Sequence, residues 1–430
     1  MNTSKASLAV LILMLLFTIT AVSQRTLIHC GQMVDVVKGE LVSQATIIVE
    51  GNAIKAVERG YSRPQSSDKL IDLKAATVMP GLIDMHVHIE SETRRGNVVD
   101  RFVLNAADIA FASTQYAKTT LMAGFTTVRD LGGTGVNVSL KSAIQRKLVV
   151  GPRIYTAGKS IATTGGHADP TNGYRKDLMG NPGPNEGVIN GPEDAYQAVR
   201  QRYKDGSDVI KITATGGVLS QAKDGANAQF TLEEVKAIVA AAKDYGFTVA
   251  AHAHGAEGIK RAIVGGVNSI EHGSFMDDEG IALAKQYGTW LVPTITAGRS
   301  VADSAKIPGY YTDIVTPKAL ATGPKIQATF AKAWKAGVKI AFGTDAGVYA
   351  HGKNWLEFVY MTEAGMPAME ALQCATRNAA QLLGEWERLG SIEPGKLADI
   401  IAVEGNPLQN IYQMEKVIFV MKDGEVYKSK

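Results

Sequence analysis

From about residue 78 the chain alternates between short apolar runs and longer stretches in which apolar and polar positions mix with a helical spacing. Short apolar runs of this kind are typical of buried strands. They fall at residues 81–88, 126–130, 153–157, 209–213, 248–252, 269–272, 290–293 and 338–344. Helical patterns lie between them, for example at residues 106–123, 192–204, 232–245 and 324–336. Eight strands alternating with helices predict an α/β fold, a closed (β/α)8 barrel of parallel strands over residues 80–384.

Both ends of the chain have a different pattern, in which short β-rich runs are separated by tight turns. Residues 45–49 and 53–57 flank a turn, and residues 398–403 and 417–421 precede a hairpin turn at Asp423-Gly424. We expect a small antiparallel sheet within residues 24–79 and a return of the same structure within residues 385–430. The simplest arrangement joins the two ends in one composite β-sandwich domain beside the barrel.

The first 23 residues have the organisation of a secretory signal peptide. Lys5 supplies a positive charge, residues 8–19 are almost wholly apolar, and Ala21-Val22-Ser23 offers small residues for cleavage. The apolar run is shorter than the roughly 20 residues that a membrane-spanning helix requires. We therefore expect cleavage after Ser23 and an exported, periplasmic or secreted protein that is soluble and not held in the membrane. An uncleaved N-terminal anchor is the less favoured alternative.

Charge and cysteine content narrow the class of protein further. The net charge is +3 over 430 residues, and the basic residues form no cluster beyond short pairs such as Arg94-Arg95, which argues against a nucleic-acid partner. Export permits disulfides, but the chain has only two cysteines, Cys30 and Cys374, in very different sequence settings. We expect both to be free, buried thiols.

Residues able to bind a metal occur where the predicted barrel strands end, which is the rim where such barrels carry their active sites. They are His86, His88, Lys211, His252, His272 and Asp345. His86 and His88 project to the same face of a strand because they are two positions apart. Six of the chain's eight histidines lie in these strands, just after them or in the connection after the third strand, and these are His86, His88, His167, His252, His254 and His272.

Each of these residues has a structural explanation when it is taken alone. Asp345 could cap a helix, and His272 could be a core histidine. Lys211 is harder to explain, because it interrupts an apolar strand and a buried unpaired ammonium is costly. The shared position of the whole set at one rim favours a functional site.

The set of residues suits two divalent ions, with Zn²⁺ as the expected metal. Neutral imidazoles and carboxylates are ligands that Zn²⁺ accepts. Burial lowers the pKa of a lysine, and the neutral amine can then take up CO₂ to form a carbamate. A carbamate on Lys211 would act as a carboxylate and could bridge two ions that share a hydroxide and polarise the bond under attack.

In this combination the chain resembles the amidohydrolase superfamily, in the branch that binds two metals through a carboxylated lysine. The resemblance rests on Lys211, on His252 and on residues 80–88 (PGLIDMHVH), 271–273 (EHG), 343–345 (GTD) and 390–399 (GSIEPGKLAD). Residues 163–169, 213–217 and 252–255 are most similar to metallo-dipeptidases and carboxypeptidases related to imidazolonepropionase. That branch includes Xaa-Pro and Xaa-Arg dipeptidases and ochratoxin-hydrolysing amidases. The match covers nearly the whole mature chain.

The resemblance implies a TIM-type barrel and a role for every metal-site residue. His86, His88 and Asp345 would hold one Zn²⁺, and His252 and His272 would hold the other. N6-carboxylated Lys211 and a hydroxide would bridge the two ions. Asp345 would also pass a proton from the bridging water to the leaving amine.

The resemblance also implies that His167 and His254 contact the substrate. One would polarise the scissile carbonyl and the other would lie near the terminal carboxylate, and the sequence leaves open which does which. His254 could instead be a metal ligand, because on a continuing strand it shares a face with His252.

The function implied is hydrolysis of the amide bond to a C-terminal amino acid in a dipeptide, an N-acyl amino acid or an ochratoxin-type conjugate. The resemblance also implies a homo-oligomer, with octamers among the family's assemblies. The alternatives are another amidohydrolase chemistry, either imidazolonepropionase-like hydrolysis of a cyclic amide or deamination, and a non-catalytic barrel subunit.

Two long connections, residues 163–191 and 294–323, follow the third and seventh strands and are expected to shape the substrate pocket. Four residues in them could bind a carboxylate or a ring, namely Arg175, Arg299, Tyr310 and Tyr311. His351 could line the pocket or lie in a surface loop, and His29 is expected to be structural.

Overall fold

The computed structural model describes residues 25–223 and 225–430. The predicted signal peptide, residues 1–23, lies outside the described residues, so cleavage after Ser23 and export stay predictions. Within the described ranges, no helix combines the length and the apolar character needed to cross a bilayer.

The described residues form sixteen strands, which are numbered here in chain order. They are β1 (Arg25–Asp35), β2 (Glu40–Glu50), β3 (Ala53–Arg59), β4 (Lys69–Pro80), β5 (Leu82–Val87), β6 (Phe125–Asp130), β7 (Arg153–Thr156), β8 (Ala162–Thr163), β9 (Val188–Ile189), β10 (Ile210–Thr213), β11 (Val249–Ala253), β12 (Ser269–His272), β13 (Trp290–Val292), β14 (Ile400–Glu404), β15 (Val417–Lys422) and β16 (Glu425–Ser429).

Both ends of the chain join in one seven-stranded sheet, with strand order β16-β15-β14-β4-β1-β2-β3. The sheet has its own hydrophobic core, to which Ile28, Ile47, Val78, Ile400 and Phe419 contribute from five different strands. This confirms the predicted second domain made from both chain ends.

The expectation of a purely antiparallel sheet at the N-terminal end was wrong, because β1 and β4 are parallel, with Thr26 opposite Lys69. A tight turn places β2 antiparallel to β1 on one edge, and β3 pairs with the far edge of β2. The chain then returns to the remaining edge of β1, where β4 runs in the direction of β1 and β3.

Seven of the eight predicted barrel strands are regular parallel strands, grouped in a ladder of β5-β6-β7 and a ladder of β10-β11-β12-β13. On one side the ladders meet through a bridge between Ile161 and Ile212. Nearby, the amide of Asp208 donates to the carbonyl of Thr156 at 2.7 Å. The polar C-terminal ends of these strands therefore lie on one rim.

The predicted eighth strand, residues 338–344, closes the other side of the barrel but is not a regular strand. A single bridge joins Ile340 to Leu291, and another joins Ala346, just after the segment, to Val87. The ring of Phe342 holds this segment in the core, where it lies 4.3 Å from the ring of Phe358. The residue directly after the segment, at position 345, has a positive φ, so the backbone leaves β geometry at that point.

Helices surround the barrel, and several begin with a side chain that caps the free backbone amides. At one helix Thr231 accepts from the amide of Glu234 while the Glu234 carboxylate accepts from the amide of Thr231, which forms a capping box. The helices are Asp100–Val103, Ala106–Met122, Val136–Gln145, Lys176–Met179, Pro192–Asp205, Leu232–Asp244, Ala256–Gly265, Asp278–Tyr287, Ile295–Ala305, Val315–Lys335, Leu356–Glu363, Ala368–Gln373 and Ala379–Leu383, with shorter 3-10 turns at Asn97–Val99 and Ile411–Glu415 and a π-helical turn at Cys374–Asn378.

The connection after β13 is mostly helical, contrary to the expectation of a long loop at residues 294–323. Two helices, Ile295–Ala305 and Val315–Lys335, occupy most of it and cross in close contact. A Cβ atom on Gly323 would lie only 2.3 Å from the carbonyl oxygen of Gly298. The glycines therefore permit a close helix crossing, and this tertiary packing outweighs their low helix propensity.

Both cysteines are free and buried, as expected, with exposed fractions of 0% for Cys30 and 2% for Cys374. Burial raises the pKa of each thiol to about 12, so both stay protonated at neutral pH.

We predict that neither thiol reacts with a thiol-specific reagent at pH 8 while the protein is folded, because a raised pKa removes the nucleophilic thiolate and burial blocks access. Two thiols per chain should react after unfolding in denaturant. The measurement is a spectrophotometric thiol titration of native and unfolded protein. Rapid reaction of either cysteine in the native protein would contradict the burial described here.

Candidate functional site

The eight residues predicted for the site line a single cavity at the C-terminal rim of the barrel, with a volume of about 250 Å³. They are His86, His88, His167, Lys211, His252, His254, His272 and Asp345. We call this space the inner cavity. Most of these side chains are buried, with exposed fractions of 0% for His86 and 3% for Lys211.

Two histidines from the end of β5 are held through their Nδ1 atoms. Nδ1 of His86 lies 3.0 Å from the carboxylate of Glu271, and Nδ1 of His88 lies 2.7 Å from the carbonyl oxygen of Gly132. Because a carboxylate and a carbonyl only accept, each Nδ1 carries the proton and donates. The lone pair of each ring is therefore on Nε2, and the two Nε2 atoms lie 3.4 and 3.2 Å from Oδ1 of Asp345.

Oδ1 of Asp345 provides a test of whether these residues fit a metal ion. It is buried and has no hydrogen-bond partner among the described residues, which is costly for a carboxylate oxygen. Donor atoms of His86, His272 and Asp345 all lie within 4.8 Å of one another. Lone pairs that converge on an unpaired carboxylate oxygen fit a divalent cation, whose charge would satisfy all of them.

A second group of donors consists of His252, His254 and His272, whose donor atoms also lie within 4.8 Å of one another. Nδ1 of His272 lies 2.7 Å from the hydroxyl of Thr294, and Nδ1 of His254 lies 2.6 Å from the hydroxyl of Ser274. These hydroxyls fix the orientation of both rings. The geometry thus keeps open the alternative in which His254 is a ligand beside His252 and His272.

His252 and His167 stack on each other, with ring centroids 4.3 Å apart. Nε2 of His252 donates to the carbonyl oxygen of Gly216 at 3.1 Å, which leaves the lone pair of this ring on Nδ1. The backbone amide of His167 donates to Oε1 of Gln229 at 2.8 Å, while Nδ1 of His167 is buried without a partner among the described residues. His167 therefore has a ring nitrogen available to a bound molecule.

Lys211 lies among these groups, with its Nζ 3.3 Å from Nε2 of His86. Burial lowers the pKa of its ammonium from 10.5 to about 8, although Glu271 and Asp345 act in the opposite direction. In a fraction of the protein molecules, Lys211 is therefore a neutral amine near neutral pH.

Burial also keeps five of the six imidazole rings neutral, which is the state in which they can bind metal ions. His88 is the exception, because the carboxylate of Asp345 outweighs burial and raises the pKa of this ring. Burial lowers the pKa of His167 to about 3 and that of His254 to about 4. The pKa values of His86, His252 and His272 are likewise well below the ordinary 6.5, with burial as the main cause.

The backbone at the site is strained, because three residues other than glycine have a positive φ. These are His272 at 71°, Thr294 at 53° and Asp345 at 60°. Such conformations cost on the order of 1–3 kcal/mol each and persist only where surrounding contacts impose them. They turn the two ligand candidates, and the threonine that orients one of them, away from the regular course of the strands.

Buried carboxylates hold the backbone next to two of these residues, Thr294 and Asp345. Glu357 accepts from the amides of Ile295 and Thr296, each at 2.8 Å, directly after Thr294. In the same way Asp84 accepts from the hydroxyl of Thr344 at 2.6 Å, directly before position 345.

An ion-pair network behind the site connects three strands. Glu271 accepts from Nη2 of Arg129 at 2.8 Å through one carboxylate oxygen and from His86 through the other. Nε of Arg129 in turn donates to the carbonyl of Met85 at 2.7 Å. The guanidinium and the carboxylate are both buried, so this pair fixes the ring of His86 from behind.

Several residues that hold the site together were not predicted from the sequence to have a positioning role, among them Arg129, Glu271, Glu357, Asp84 and Thr294. A role for Arg129 and Asp84 could have been predicted, because each is a charged residue within a predicted buried strand. No such role could have been predicted for Glu357, since only the fold brings its helix to the end of β13.

Other residues considered from the sequence lie elsewhere. Arg175 pairs with Asp177 on the surface, and Arg299 pairs with Glu363 at the end of the Leu356–Glu363 helix. The remaining pair, Tyr310 and Tyr311, lines a wider cleft outside the inner cavity.

The last two histidines have structural contacts. His351 is buried, with Nε2 3.2 Å from the carbonyl oxygen of Ser91, so it is neither in the inner cavity nor in an exposed loop. His29 is buried in the seven-stranded sheet, where Nε2 lies 2.9 Å from the carbonyl of Ser62.

The fold and the site define the class of this chain. It is a (β/α)8 barrel with a cluster of histidines that suits metal ions at the C-terminal rim of its strands. The model of the amidohydrolase family matches residues 77–427. The chain therefore belongs to the amidohydrolase family, as the sequence resemblance predicted, and it is a hydrolase.

Similar proteins of known structure or activity indicate the branch of the amidohydrolase family to which this chain is most similar. A solved structure of a Xaa-Pro dipeptidase with methionine bound in its active site has 54% identity and a TM-score of 0.93, over 94% of this chain and 100% of its own. A prolidase complexed with N-methylphosphonate-L-proline has 31% identity and a TM-score of 0.87, over 95% of this chain and 100% of its own. Ochratoxinase of Aspergillus niger is 31% identical over 429 residues, which cover 94% of this chain and 86% of the relative. These similarities confirm the predicted branch and support amide hydrolysis.

We predict that Glu271→Gln weakens metal binding or activity by about 10- to 100-fold, because His86 loses a charged partner that fixes its tautomer and orientation. The measurement is metal content and metal affinity of purified protein, with thermal unfolding to confirm the fold.

The matched control for this variant is Glu234→Gln, which alters a buried carboxylate in a helix cap outside the inner cavity. Metal affinity of a folded Glu271→Gln protein equal to that of the control would show that the network has no part in the site.

Proposed function

We propose that this protein is a two-zinc amidohydrolase that cleaves the amide bond to a C-terminal amino acid, in dipeptides and N-acyl amino acids. The observation that supports this most directly is the unpaired, buried Oδ1 of Asp345, which faces the Nε2 lone pairs of His86 and His88 at 3.4 and 3.2 Å. An oxygen and two nitrogens arranged in this way lack only a cation.

The two geometric groups of donors share His272, which we assign to the second of two ions. His86, His88 and Asp345 would hold one, and His252 and His272 the other, with carboxylated Lys211 between them. The proximity of Lys211 to His86 favours this arrangement over a single-metal deaminase or cyclic-amide hydrolase. When bound, the ions would supply Lewis acidity that lowers the pKa of a water molecule and polarises the amide carbonyl.

The chain's own side chains would then move the proton and hold the substrate. Asp345 accepts a proton from the attacking water and donates it to the departing amine, which leaves as the free amino group of the product. His167 and His254 are neutral imidazoles at the cavity wall, and each can donate a hydrogen bond to a carbonyl or a carboxylate oxygen.

The remaining wall of the inner cavity indicates the kind of amino acid that is released. It is mainly apolar, and hydroxyl side chains such as Thr213 and Thr322 are its polar part. The apolar residues include Leu131, Val218, Ala297, Val301, Ile326 and Val348. Among the described residues, Lys211 is the only lysine or arginine that lines this space. The cavity therefore suits an uncharged, apolar side chain, in keeping with the methionine that the Xaa-Pro dipeptidase binds.

We predict that the metal-free protein, prepared with a chelator, has no activity on N-acyl amino acids or dipeptides and that Zn²⁺ restores it. With the zinc-loaded protein, substrates that release methionine or leucine should be cleaved with a kcat/KM at least about tenfold above those that release aspartate or lysine, because burying an unpaired charge in an apolar cavity is costly. The measurement is release of the free amino acid together with metal content per chain. One ion per chain, or a preference for charged residues, would contradict the proposal.

We predict that Lys211→Ala loses hydrolysis because it removes the bridging group, and that a short carboxylate such as propionate restores part of it. Lys211→Ala should also hold fewer ions per chain, which elemental analysis measures independently of activity. Lys260→Ala, a change of a partly exposed lysine paired with Glu279 outside the inner cavity, is the control. Full activity of Lys211→Ala without added carboxylate would refute the bridging role.

A further inference from the structure

A second, wider space adjoins the inner cavity. Its volume is about 540 Å³, and it shares three wall residues with the inner cavity, namely His167, Ala168 and Leu219. We call it the outer cleft. The shared residues form the boundary between the two spaces, so a molecule bound across the boundary passes next to the ring of His167.

The walls of the outer cleft come from several of the connections that follow barrel strands. The connection after β5 contributes Arg101, the connection after β7 contributes Pro170 and Tyr174, and the connection after β13 contributes Tyr310 and Tyr311. Loops at this rim carry substrate contacts in barrel enzymes.

Three tyrosine rings line the outer cleft beside polar side chains such as those of Asn97 and Gln221. The rings of Tyr310 and Tyr311 are perpendicular, with centroids 4.8 Å apart. The guanidinium of Arg101 lies 4.3 Å from the ring centroid of Tyr174 and donates to the carbonyl of Pro170 at 2.8 Å, which holds that ring in place. Aliphatic side chains thus supply the apolar wall of the inner cavity, whereas the outer cleft presents three tyrosine rings.

A buried carboxylate keeps the boundary in position. Asp169 accepts from the amide of Gly165 through one oxygen and from the amide and hydroxyl of Thr171 through the other, at 2.8, 2.9 and 2.6 Å. These bonds close a tight loop that carries His167 and leads to Tyr174. The outer cleft is therefore joined to the inner cavity by a constrained segment of chain.

We propose that the outer cleft is the subsite for the acyl side of the scissile amide and that it selects aromatic acyl groups over small aliphatic ones. The inference rests on the proposed function, in which the inner cavity takes the apolar amino acid that is released. When the scissile amide lies among the proposed metal ligands, its amino-acid part occupies the inner cavity. Its acyl part then extends past His167 into the outer cleft, toward the tyrosines. Aromatic rings pack favourably on aromatic side chains.

The experiment compares N-acetyl-, N-benzoyl- and N-(2-naphthoyl)-L-methionine in the zinc-loaded enzyme and its variants. For Tyr310→Leu we expect a loss of about three- to tenfold in kcat/KM on the benzoyl and naphthoyl substrates, mainly through KM, and a change within about twofold on the acetyl substrate. Tyr310→Phe keeps the ring and should restore the aromatic substrates. Tyr412→Leu, which changes an exposed tyrosine outside both spaces, is the matched control.

A second series holds the benzoyl group constant and varies the amino acid among alanine, methionine and phenylalanine. The proposal requires that Tyr310→Leu lower kcat/KM for all three substrates by the same factor. If the loss in kcat/KM depended on which amino acid is released, the amino-acid part of the substrate would lie in the outer cleft and the proposal would be overturned. An equal loss on acetyl and benzoyl substrates would also overturn it.

Binding of an uncleavable ligand separates the failure of this inference from the failure of the proposed function. N-benzyl-L-methionine has no amide bond, and calorimetry should show that it binds more tightly than N-ethyl-L-methionine in the wild type and equally in Tyr310→Leu. Absence of hydrolysis with this binding pattern present would refute the proposed reaction and retain the subsite. Hydrolysis without any preference for the benzyl ligand would refute the subsite alone.

Discussion

Removal of a dense set of titratable side chains from water is the constraint on which the rest of the structure depends. Six imidazoles, an amine and a carboxylate share one small cavity, and most of these groups are buried. Such a set is tolerable only if most of the rings are neutral and their hydrogens are donated to fixed acceptors. The structure meets this condition through the nitrogen that faces away from the cavity, as in the bonds from His86 to Glu271 and from His88 to the carbonyl of Gly132. The inward lone pairs are thereby directed at common points.

Support for these acceptors extends well beyond the cavity. Glu271 is held by Arg129, and Arg129 is held by the backbone of the strand that carries His86, so the network returns to the ligand that it orients. Glu357 fixes the turn after β13, which places the hydroxyl of Thr294 against His272. The positive φ values at the site are therefore consequences of a surrounding structure that is more stable than the strain it imposes.

The inner cavity has an aliphatic wall and the outer cleft has tyrosine rings because different parts of the chain reach the rim at each place. The two helices after β13 cross at Gly298 and Gly323 closely enough to bring Ala297, Val301 and Ile326 against the centre. The segment between these helices carries Tyr310 and Tyr311 outward to meet the connection after β7. One insertion after a single strand thus shapes both spaces, and changes in it offer a route to new substrates without disturbing the metal-type centre.

Much of this protein could be read from the chain alone, because its information is local or periodic. Alternation of apolar and helical patterns predicted the barrel, and residues such as His86, Lys211 and Asp345 stood out because polar groups at the ends of buried strands are costly without a function. Other features depend on contacts between distant segments. The irregular eighth strand, the parallel pairing of β1 with β4, and the helices at residues 294–323 all required tertiary packing to decide between conformations of similar local preference. Glu357 is the clearest case, since nothing near it in sequence indicates that it stabilises the turn after β13. Only the folded barrel brings it there, because a buried carboxylate acquires its role from the amides that the fold directs toward it.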